Sequence, residues 1–450
     1  MIQKVSKKII LILLLFSSFC FPGRSFMVFA EDLPLLFCPV NDDVTGSERK
    51  LQTSDGNDER LRVSVDLSLI SPQSGDERVE ALLPEKITAG SEKPYRKIVI
   101  AKNRSEIRGE HSYSWFGTVE EKDLSTVVMT VADGVMYGHI DIDGDSYSIS
   151  ADKSSHDKND YLIVKNDETR LAPIDDGAVS PLLKGKKKNN RHSSGRVQDD
   201  GSVIDVLILY TQEFSDKYGD ETDGKIQHFV DLANEAYHNS GINTSISIAH
   251  SELYSDSGAD EDINIDNALP FILTDTNIAA LRDEYNADLV TLLRVYKDTD
   301  YCGLGYQMSP VSPLFEEYAF SVVEVKDISD IPQGSSGRYC HKTTLAHELG
   351  HNMGCAHDRS HLKKDKKGNI INKGAFSYSY GYDKKNSKGK GIFGTIMSYD
   401  RPTITYFSTP KVKYKGYAIG KGSKSKQSAD NARTINNTRN TVANFRNSEQ

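Results

Sequence analysis

The sequence predicts two parts of different build, a mostly β N-terminal region and then a mixed α/β domain with a twisted sheet, and three observations carry that reading. Apolar residues alternate with polar neighbours at Leu61, Val63, Val65, Leu67 and Leu69, the period of a half-buried strand. From residue 203 onward, strand-like apolar runs alternate with segments whose apolar positions recur at helical spacing. Between the two lies a stretch with neither pattern, Lys184-Gly185-Lys186-Lys187-Lys188-Asn189-Asn190-Arg191, continuing through Ser193-Ser194-Gly195-Arg196. Basic and small polar residues of this kind form exposed linkers, natural sites of proteolytic nicking. The expected organisation is a leader over 1–30, a β-rich region over 31–183, a basic linker over 184–200 and the α/β domain over 201–450.

Composition narrows the classes. The chain has 450 residues, 37% hydrophobic and 26% charged, which is globular material for two or three domains. A formal net charge of −9 argues against nucleic acid as a partner. Lys4, Lys7 and Lys8 precede an apolar run from Ile9 to Phe16, and Val28-Phe29-Ala30 suits a signal-peptidase cut before Glu31. The run is too short to span a bilayer, no later segment supplies about 18 consecutive apolar residues, and Phe19 does not suit a lipoprotein cut before Cys20. A secreted protein with no stable membrane anchor is therefore expected.

Within 31–183, further strands fit Lys97 to Ala101, Thr126 to Val131, Val135 to Ile142 and Tyr147 to Ile149, with hairpin turns at Ala132-Asp133-Gly134 and Asp143-Gly144-Asp145. Asp141, Asp143 and Asp145 imitate half a calcium loop, but the rest of that pattern is missing and the hairpin is the better reading. In the second domain, Val203 to Tyr210 suits a buried strand. Ile226, Phe229, Leu232, Ala233 and Ala236 mark a helix ended by Gly241. Ser245 to His250 and Asp288 to Val295 read as strands, as do Gly303 to Gln307 and Ala319 to Glu324, one of this last pair being an edge on which a peptide can add as an extra strand. Helices fit Ile278 to Tyr285 and a C-terminal set, Ile435, Thr438, Val442 and Phe445. The acidic stretch Asp256 to Asp266 could hold Ca²⁺, although no spacing defines a cage and a solvated loop is expected.

The chemistry is concentrated in His347-Glu348-Leu349-Gly350-His351-Asn352-Met353-Gly354-Cys355-Ala356-His357-Asp358. On a helix, His347 and His351 project from one face and can reach one Zn²⁺ at roughly 2.0–2.1 Å. Glu348 lies beside the metal, where a carboxylate can act as general base on an activated water. A regular helix would aim His357 away, so Gly354 is expected to turn the chain through a left-handed conformation and bring His357 in as third ligand. Three protein ligands leave a fourth position open, as catalysis requires. An amphipathic helix with surface histidines is the plain alternative for a bare HExxH match; the longer pattern, followed by Thr395-Ile396-Met397-Ser398-Tyr399, argues against it.

On these residues the sequence resembles the metzincin metallopeptidases, and Asp358 directly after the third histidine places the likeness in the reprolysin-like (adamalysin) branch. It is most similar to the bacterial peptidyl-Asp metallopeptidases, through Ile204-Asp205-Val206-Leu207-Ile208-Leu209-Tyr210-Thr211, Tyr301-Cys302-Gly303-Leu304-Gly305-Tyr306, Tyr406-Phe407-Ser408-Thr409-Pro410 and Ala429-Asp430-Asn431-Ala432-Arg433. The likeness covers about residues 201 to 446. It implies a metzincin-type catalytic domain, a secreted zinc endopeptidase acting on protein or peptide substrates, His347, His351 and His357 as ligands, Glu348 as base and Met397 as the turn beneath the metal. Tyr399 stands where astacins and serralysins carry a tyrosine that approaches the zinc, a ligand typical reprolysins lack. Cleavage on the amino side of aspartate implies a cation just past the scissile bond, and Arg401 in Ser398-Tyr399-Asp400-Arg401-Pro402 is the nearest candidate; the plain reading pairs it with Asp400 or a surface acid. A noncatalytic binding protein on the same scaffold is the competing class, and an intact Glu348 argues against it.

Residues 31–183 then read as a pro-region and own inhibitor. Four cysteines follow the expected leader, and Cys302 with Cys340 is the favoured disulfide, though Cys355 could take either partner. Cys38 invites a switch in which a pro-region thiolate occupies the open metal position, but Leu36-Phe37-Cys38-Pro39-Val40 lacks the familiar motif.

Overall fold

A computed structural model of the chain describes residues 33–40, 60–85, 95–166, 171–173, 176–183, 199–297, 300–332, 337–362, 364–367 and 370–446. The expected leader and nearly all of the basic linker lie outside the described residues. In the N-terminal region nine strands form one antiparallel sheet: β1 (Phe37–Pro39), β2 (Arg60–Val65), β3 (Arg78–Pro84), β4 (Tyr95–Ile107), β5 (Tyr113–Val119), β6 (Thr126–Ala132), β7 (Val135–Ile142), β8 (Asp145–Ala151) and β9 (Asp160–Lys165). Their order is β1-β2-β9-β8-β7-β6-β5-β4-β3. The chain just before β1 reaches across to β3, with Leu36 N–H donating to the Glu80 carbonyl (2.8 Å) and Glu80 N–H to Pro34 (2.9 Å). The sheet therefore curls around one apolar core containing Val63, Trp115, Met129, Ile140 and Ile163.

Both predicted hairpins are present. Asp133 and Gly134 have φ of 49° and 81°, and Asp143 and Gly144 of 59° and 95°, the paired positive angles that a two-residue turn needs to match strand twist. One expectation fails: the alternation from Leu61 to Leu69 is not a single strand. β2 ends at Val65, and Leu67–Ile70 is a turn of 3₁₀ helix whose start is capped by the Asp66 carboxylate accepting from Ser68 N–H at 3.1 Å. A side-chain cap outcompetes the strand period there. Cys38 lies on β1, opposite Ser64 of β2, with its thiol directed at the Leu35 carbonyl (3.8 Å). That places it in the sheet and outside the histidine cluster, so the thiolate switch is not formed.

The second domain is built on a six-stranded sheet in the order β11-β15-β16-β14-β12-β13. Its members, with β10 (Leu171–Pro173) preceding, are β11 (Gly177–Val179), β12 (Val203–Tyr210), β13 (Ser245–Leu253), β14 (Leu289–Val295), β15 (Gly303–Tyr306) and β16 (Phe320–Val325); β17 (Gly337–Tyr339) pairs with β10. β15 runs antiparallel to β16 and β11 parallel to β15, so these two strands oppose the other four. Helices α1 (Gln212–Tyr218) and α2 (Thr222–Ser240) connect β12 to β13, α3 (Ile265–Thr274) and α4 (Thr276–Glu284) precede β14, α5 (Thr344–Asn352) carries the histidine motif, and α6 (Asn431–Val442) lies near the C-terminus. Gly241 ends α2 in the left-handed conformation, φ 69°. The sequence reading had no helix at α1 or α3. α3 is capped by Asn264, from the same acidic stretch that looked like a loop.

That stretch is organised by a buried guanidinium. Arg294 donates to the carbonyls of Asp260 (2.8 Å) and Ile263 (2.7 Å) and pairs with Glu324 (2.6 Å). Among the described residues, the only groupings of side chains able to hold a metal lie at the histidine motif, so the Ca²⁺ option at Asp256 to Asp266 has no support. The favoured disulfide is formed: Cys302 and Cys340, Cα atoms 5.4 Å apart, tie the start of β15 to the approach to α5. Cys355 remains a buried thiol.

Residues 34–450 form one compact unit, and the nine-stranded sheet lies on α2. That contact joins a small apolar cluster, Phe116 and Val128 against Leu232, to a set of buried polar groups. Asp231 accepts from Thr130 (2.7 Å) and Ser114 and pairs with Arg108 (3.2 Å), Glu235 pairs with Arg104 (2.6 Å), and Tyr137 donates to Glu221 (2.6 Å). His228 meets Thr130 at 2.9 Å and stacks on His139, their ring nitrogens 2.8 Å apart. Burial holds both histidines well below the usual imidazole range, helped by Lys342 and His228 at His139 and by Lys225 at His228, against a smaller opposite pull from Asp327 at His228.

This fixes the sign of a pH effect. The joined form refuses protons that exposed histidines accept below about 6.5, so stability present above that pH is lost as pH falls. The thermal midpoint of the intact chain should decline between pH 7 and pH 5, by about 2–4 °C per kcal/mol lost. The double variant His139→Gln/His228→Gln should decline less steeply; identical slopes for parent and variant would contradict this assignment.

Candidate metal centre

The centre begins with where α5 stops. Its last turn closes at Asn352, Gly354 takes φ of 93°, and Gly354 and Cys355 N–H return to the carbonyls of His351 and Gly350, each at 2.9 Å. The turn leads directly to His357. The Nε2 atoms of His347, His351 and His357 then stand 3.1, 3.0 and 3.0 Å apart, in rings that are all buried.

The opposite ring nitrogens explain why Nε2 points inward. His347 Nδ1 lies 2.8 Å from the Ile396 carbonyl and His351 Nδ1 2.9 Å from the Cys355 carbonyl; a carbonyl only accepts, so each ring donates its one proton there. Burial lowers the basicity of both rings, to about 4 at His351, which keeps Nε2 lone pairs available. Three neutral imidazole nitrogens converging within 3.1 Å fit a single metal ion and would repel one another's lone pairs without one.

Met397 is buried beneath the helix, and Gly350 lets it approach: a Cβ at Gly350 would lie 2.9 Å from Met397 Sδ. Asp358 ties the third-histidine loop to this turn. Its N–H donates to the Met397 carbonyl (2.9 Å), and its carboxylate accepts from Tyr399 N–H (3.3 Å) and Ser360 N–H (3.0 Å). The Tyr399 hydroxyl sits 3.0 Å from the His357 ring nitrogens and donates to the Asp176 carbonyl. Arg401 is half-buried with Nη1 on Thr403, while Asp400 pairs with Lys385 at 2.9 Å; the plain pairing of Arg401 with Asp400 is not formed.

Glu348 is fully buried, and neither carboxylate oxygen has a hydrogen-bond partner. Burial pushes its carboxyl well above the usual range, and the Asp176 carboxylate adds to the rise. Room for Glu348 comes from β15. A Cβ at Gly303 would lie 2.3 Å from Oε1, and one at Gly305 2.8 Å from Oε2. The sequence reading used these two glycines only for likeness; their spacing of two on one strand, both facing the helix, is the physical signal behind it.

Asp176 was missed altogether. It precedes β11 within the expected pro-region, yet its carboxylate groups with His347 and Glu348, ligand atoms all within 4.8 Å of one another. β11 pairs in parallel with β15, Gly177 opposite Leu304 and Val179 opposite Tyr306. β15, one of the two strands expected to offer a peptide-accepting edge, is thus covered by the chain's own N-terminal half.

Residues 200–408 match the family model described as metallo-peptidase family M12, of the reprolysin type. The chain is 26% identical over 263 residues to a peptidyl-Asp metalloendopeptidase of Pseudomonas aeruginosa, covering 54% of this chain and 40% of that protein. It is 27% identical over 299 residues to one from Xanthomonas campestris, covering 64% of this chain and 62% of that protein, and 27% identical over 302 residues to one from Stenotrophomonas maltophilia, covering 64% of each. The matches span less than two thirds of each relative's own length.

The packing around Glu348 yields a test. Gly303→Ala should push the carboxylate aside while leaving the histidines untouched, so metal content stays constant and turnover falls about 10²-fold, the cost of a displacement near 1 Å at a reacting group. Unchanged turnover in a variant with its Cβ in place would show that Glu348 does not need this position.

Proposed function

We propose a function from this premise: residues 200–408 are a metzincin-like metallopeptidase domain of family M12. The protein is a secreted zinc endopeptidase made in latent form, and it cleaves peptide bonds on the amino side of aspartate. The observation that carries the reading is the convergence of three Nε2 atoms within 3.1 Å beside an unpartnered, buried Glu348. A structural metal site has no need of such a base. The disulfide Cys302–Cys340 supports an oxidising compartment outside the cytosol.

His347, His351 and His357 would hold the metal. When bound, Zn²⁺ supplies Lewis-acid polarisation and lowers the pKa of water from about 15.7 toward about 7. Glu348 accepts a proton from the attacking water and delivers it to the leaving amine, a role suited to a buried carboxyl whose proton affinity is raised. The Tyr399 hydroxyl, a donor 3.0 Å from His357, is placed to steady developing charge on the substrate oxygen once the Asp176 carbonyl leaves it. Peptides would add along β15, whose outer side β11 occupies in the uncut chain.

Aspartate preference rests on Arg401 and on the names of the relatives. Its Nε is buried without a hydrogen-bond partner, and its charge is felt at His347, so a guanidinium with spare donors lies near the metal centre. A carboxylate just past the scissile bond would fill them.

Two substitutions test these roles. Glu348→Gln should retain zinc and lose at least about 10²-fold in activity on a peptide substrate. Near-parental cleavage by zinc-loaded Glu348→Gln would sink the mechanism, and a parent that binds peptides without cutting them would favour a noncatalytic binding protein. Arg401→Ala should lower the preference for aspartate over asparagine by roughly 10- to 150-fold. An unaltered ratio would remove Arg401 from specificity.

A further inference from the structure

We infer that the lysine-rich outer face of two hairpins after the histidine motif is a second binding site, one that takes carboxylate-rich peptide segments and so directs the enzyme to acidic proteins. The inference rests on the metallopeptidase reading and deepens it by naming the substrate class. The site lies outside the metal centre, so its binding can be measured without turnover.

Charge gives the first observation. Residues 359–433 hold 15 lysines and 3 arginines against 4 aspartates and no glutamate, a formal charge of +14 in a chain whose total is −9. The remaining residues therefore carry −23. Charge placed for solubility is mixed in sign over a surface, and a one-sign concentration repels itself. Segregation on this scale marks a surface that meets the opposite charge. Lysine dominates it, and a compact, mobile ammonium holds carboxylates without the bidentate geometry that arginine imposes, which suits segments of varied sequence.

Placement gives the second. β18 (Asp383–Lys385) and β19 (Gly391–Gly394) form one hairpin, β20 (Thr409–Tyr414) and β21 (Tyr417–Ile419) another. They share a small core in which Phe393 packs edge-on against Tyr414, ring centroids 5.6 Å apart, and Lys384 lies 4.9 Å over the Tyr417 ring. Along β20, Val412 and Tyr414 turn toward that core while Lys411 and Lys413 are exposed. Lys388 and Lys390 between β18 and β19, and Lys415 between β20 and β21, are exposed as well. Asp383 and Asp400 are partly buried, Asp400 paired with Lys385 at 2.9 Å, so the acids withdraw and the lysines face outward. β19 also runs alongside the segment carrying Arg401: Gly394 N–H donates to the Pro402 carbonyl and Ile404 N–H to the Gly394 carbonyl, both at 2.9 Å. A substrate whose aspartate sits at Arg401 would pass its flanking residues to these lysines.

The third observation is what the chain itself lays there. The turn Asp141-Ile142-Asp143-Gly144-Asp145 reaches the edge of this face, where Lys415 donates to the Asp143 carbonyl at 2.9 Å and Thr405 to the Asp141 carboxylate at 2.6 Å. A Cβ at Gly144 would lie 3.2 Å from Pro402 Cγ and 3.4 Å from the Tyr414 hydroxyl. Burial, and then the charges of Asp143, Asp141 and Asp145, push that phenol up. An acidic peptide turn thus already rests beside Arg401-Pro402.

The test uses the intact chain and a fluorescent peptide of glutamate and serine without aspartate, with a glutamine-and-serine peptide as control. The glutamate peptide should bind the parent at about 20 mM salt, bind Lys388→Gln/Lys390→Gln/Lys411→Gln/Lys413→Gln at least about 10-fold more weakly, and leave both near about 0.5 M salt. For enzyme cut within 184–198, two substrates share one bond before aspartate, followed by glutamates in one and glutamines in the other. The parent should favour the glutamate substrate about 10-fold in kcat/KM, and the variant should treat the two alike while matching the parent on the glutamine substrate. Equal peptide binding by parent and variant, or equal substrate ratios, would overturn the inference. So would anionic lipid vesicles that hold the parent and not the variant while the peptides are bound alike, since the face would then meet a membrane. Lys388→Gln/Lys390→Gln, confined to one turn, keeps the comparison should the quadruple variant fail to fold, with a loss of about 3-fold. Glutamate peptide bound as expected by a parent that cuts no substrate would count against the peptidase reading alone and leave the carboxylate site standing.

Discussion

Two main-chain carbonyls, of Ile396 and Cys355, set the terms for the rest of the metal centre. A neutral imidazole has one proton, and giving it to a carbonyl at 2.8–2.9 Å leaves the other nitrogen as a lone pair with a fixed direction. For Ile396 to reach His347, the turn at Met397 must pass close beneath α5, which Gly350 permits. For Cys355 to reach His351, the chain must reverse at once, which Gly354 permits. Asp358 then joins the two returning segments, so that moving either disturbs all three rings. The motif thus reads as ligands when written out, but as much of its content lies in the glycines and carbonyls that aim them.

Much of this was legible in the sequence because its parts are near one another along the chain. His347, His351, Gly354 and His357 are separated by a helical turn and a bend, and both hairpins are set by two residues each. The strand over Leu61 to Leu69 was overread because a local cap at Asp66 competes with hydrophobic period and leaves no trace in it. α3 was hidden for a similar reason, since its first residues share the acidic character of the preceding loop. Asp176 was beyond reach. It sits in a short polar stretch with no periodicity, and its meaning depends on β15 and α5, more than 120 residues away. Cys38 drew attention by its chemistry, whereas the fold decides which residue arrives at the centre.

The boundary between the two halves also differs in kind from what composition suggests. Residues 177–179 belong by sequence to the N-terminal part and by hydrogen bonding to the six-stranded sheet. The N-terminal half meets the other along β15, across α2, where β10 pairs with β17, and at Asp141, which pairs with Lys342 and accepts from Thr405. The first covers the centre. The second adds ion pairs and hydroxyl donors on Asp231, Glu235, Glu221 and His228.

For the latent form proposed above, the polar part of this contact has a consequence for what would follow a cut in the linker. An apolar joint, once opened, would leave α2 as a sticky face prone to coalesce with its neighbours, whereas acids and imidazoles hydrate readily when uncovered. Two fragments joined in this way part according to mass action, and the fraction parted grows as their concentration falls toward the dissociation constant. Under that proposal dilution would be a second trigger: a cut would make release permissible, and spreading into a large volume would carry it through.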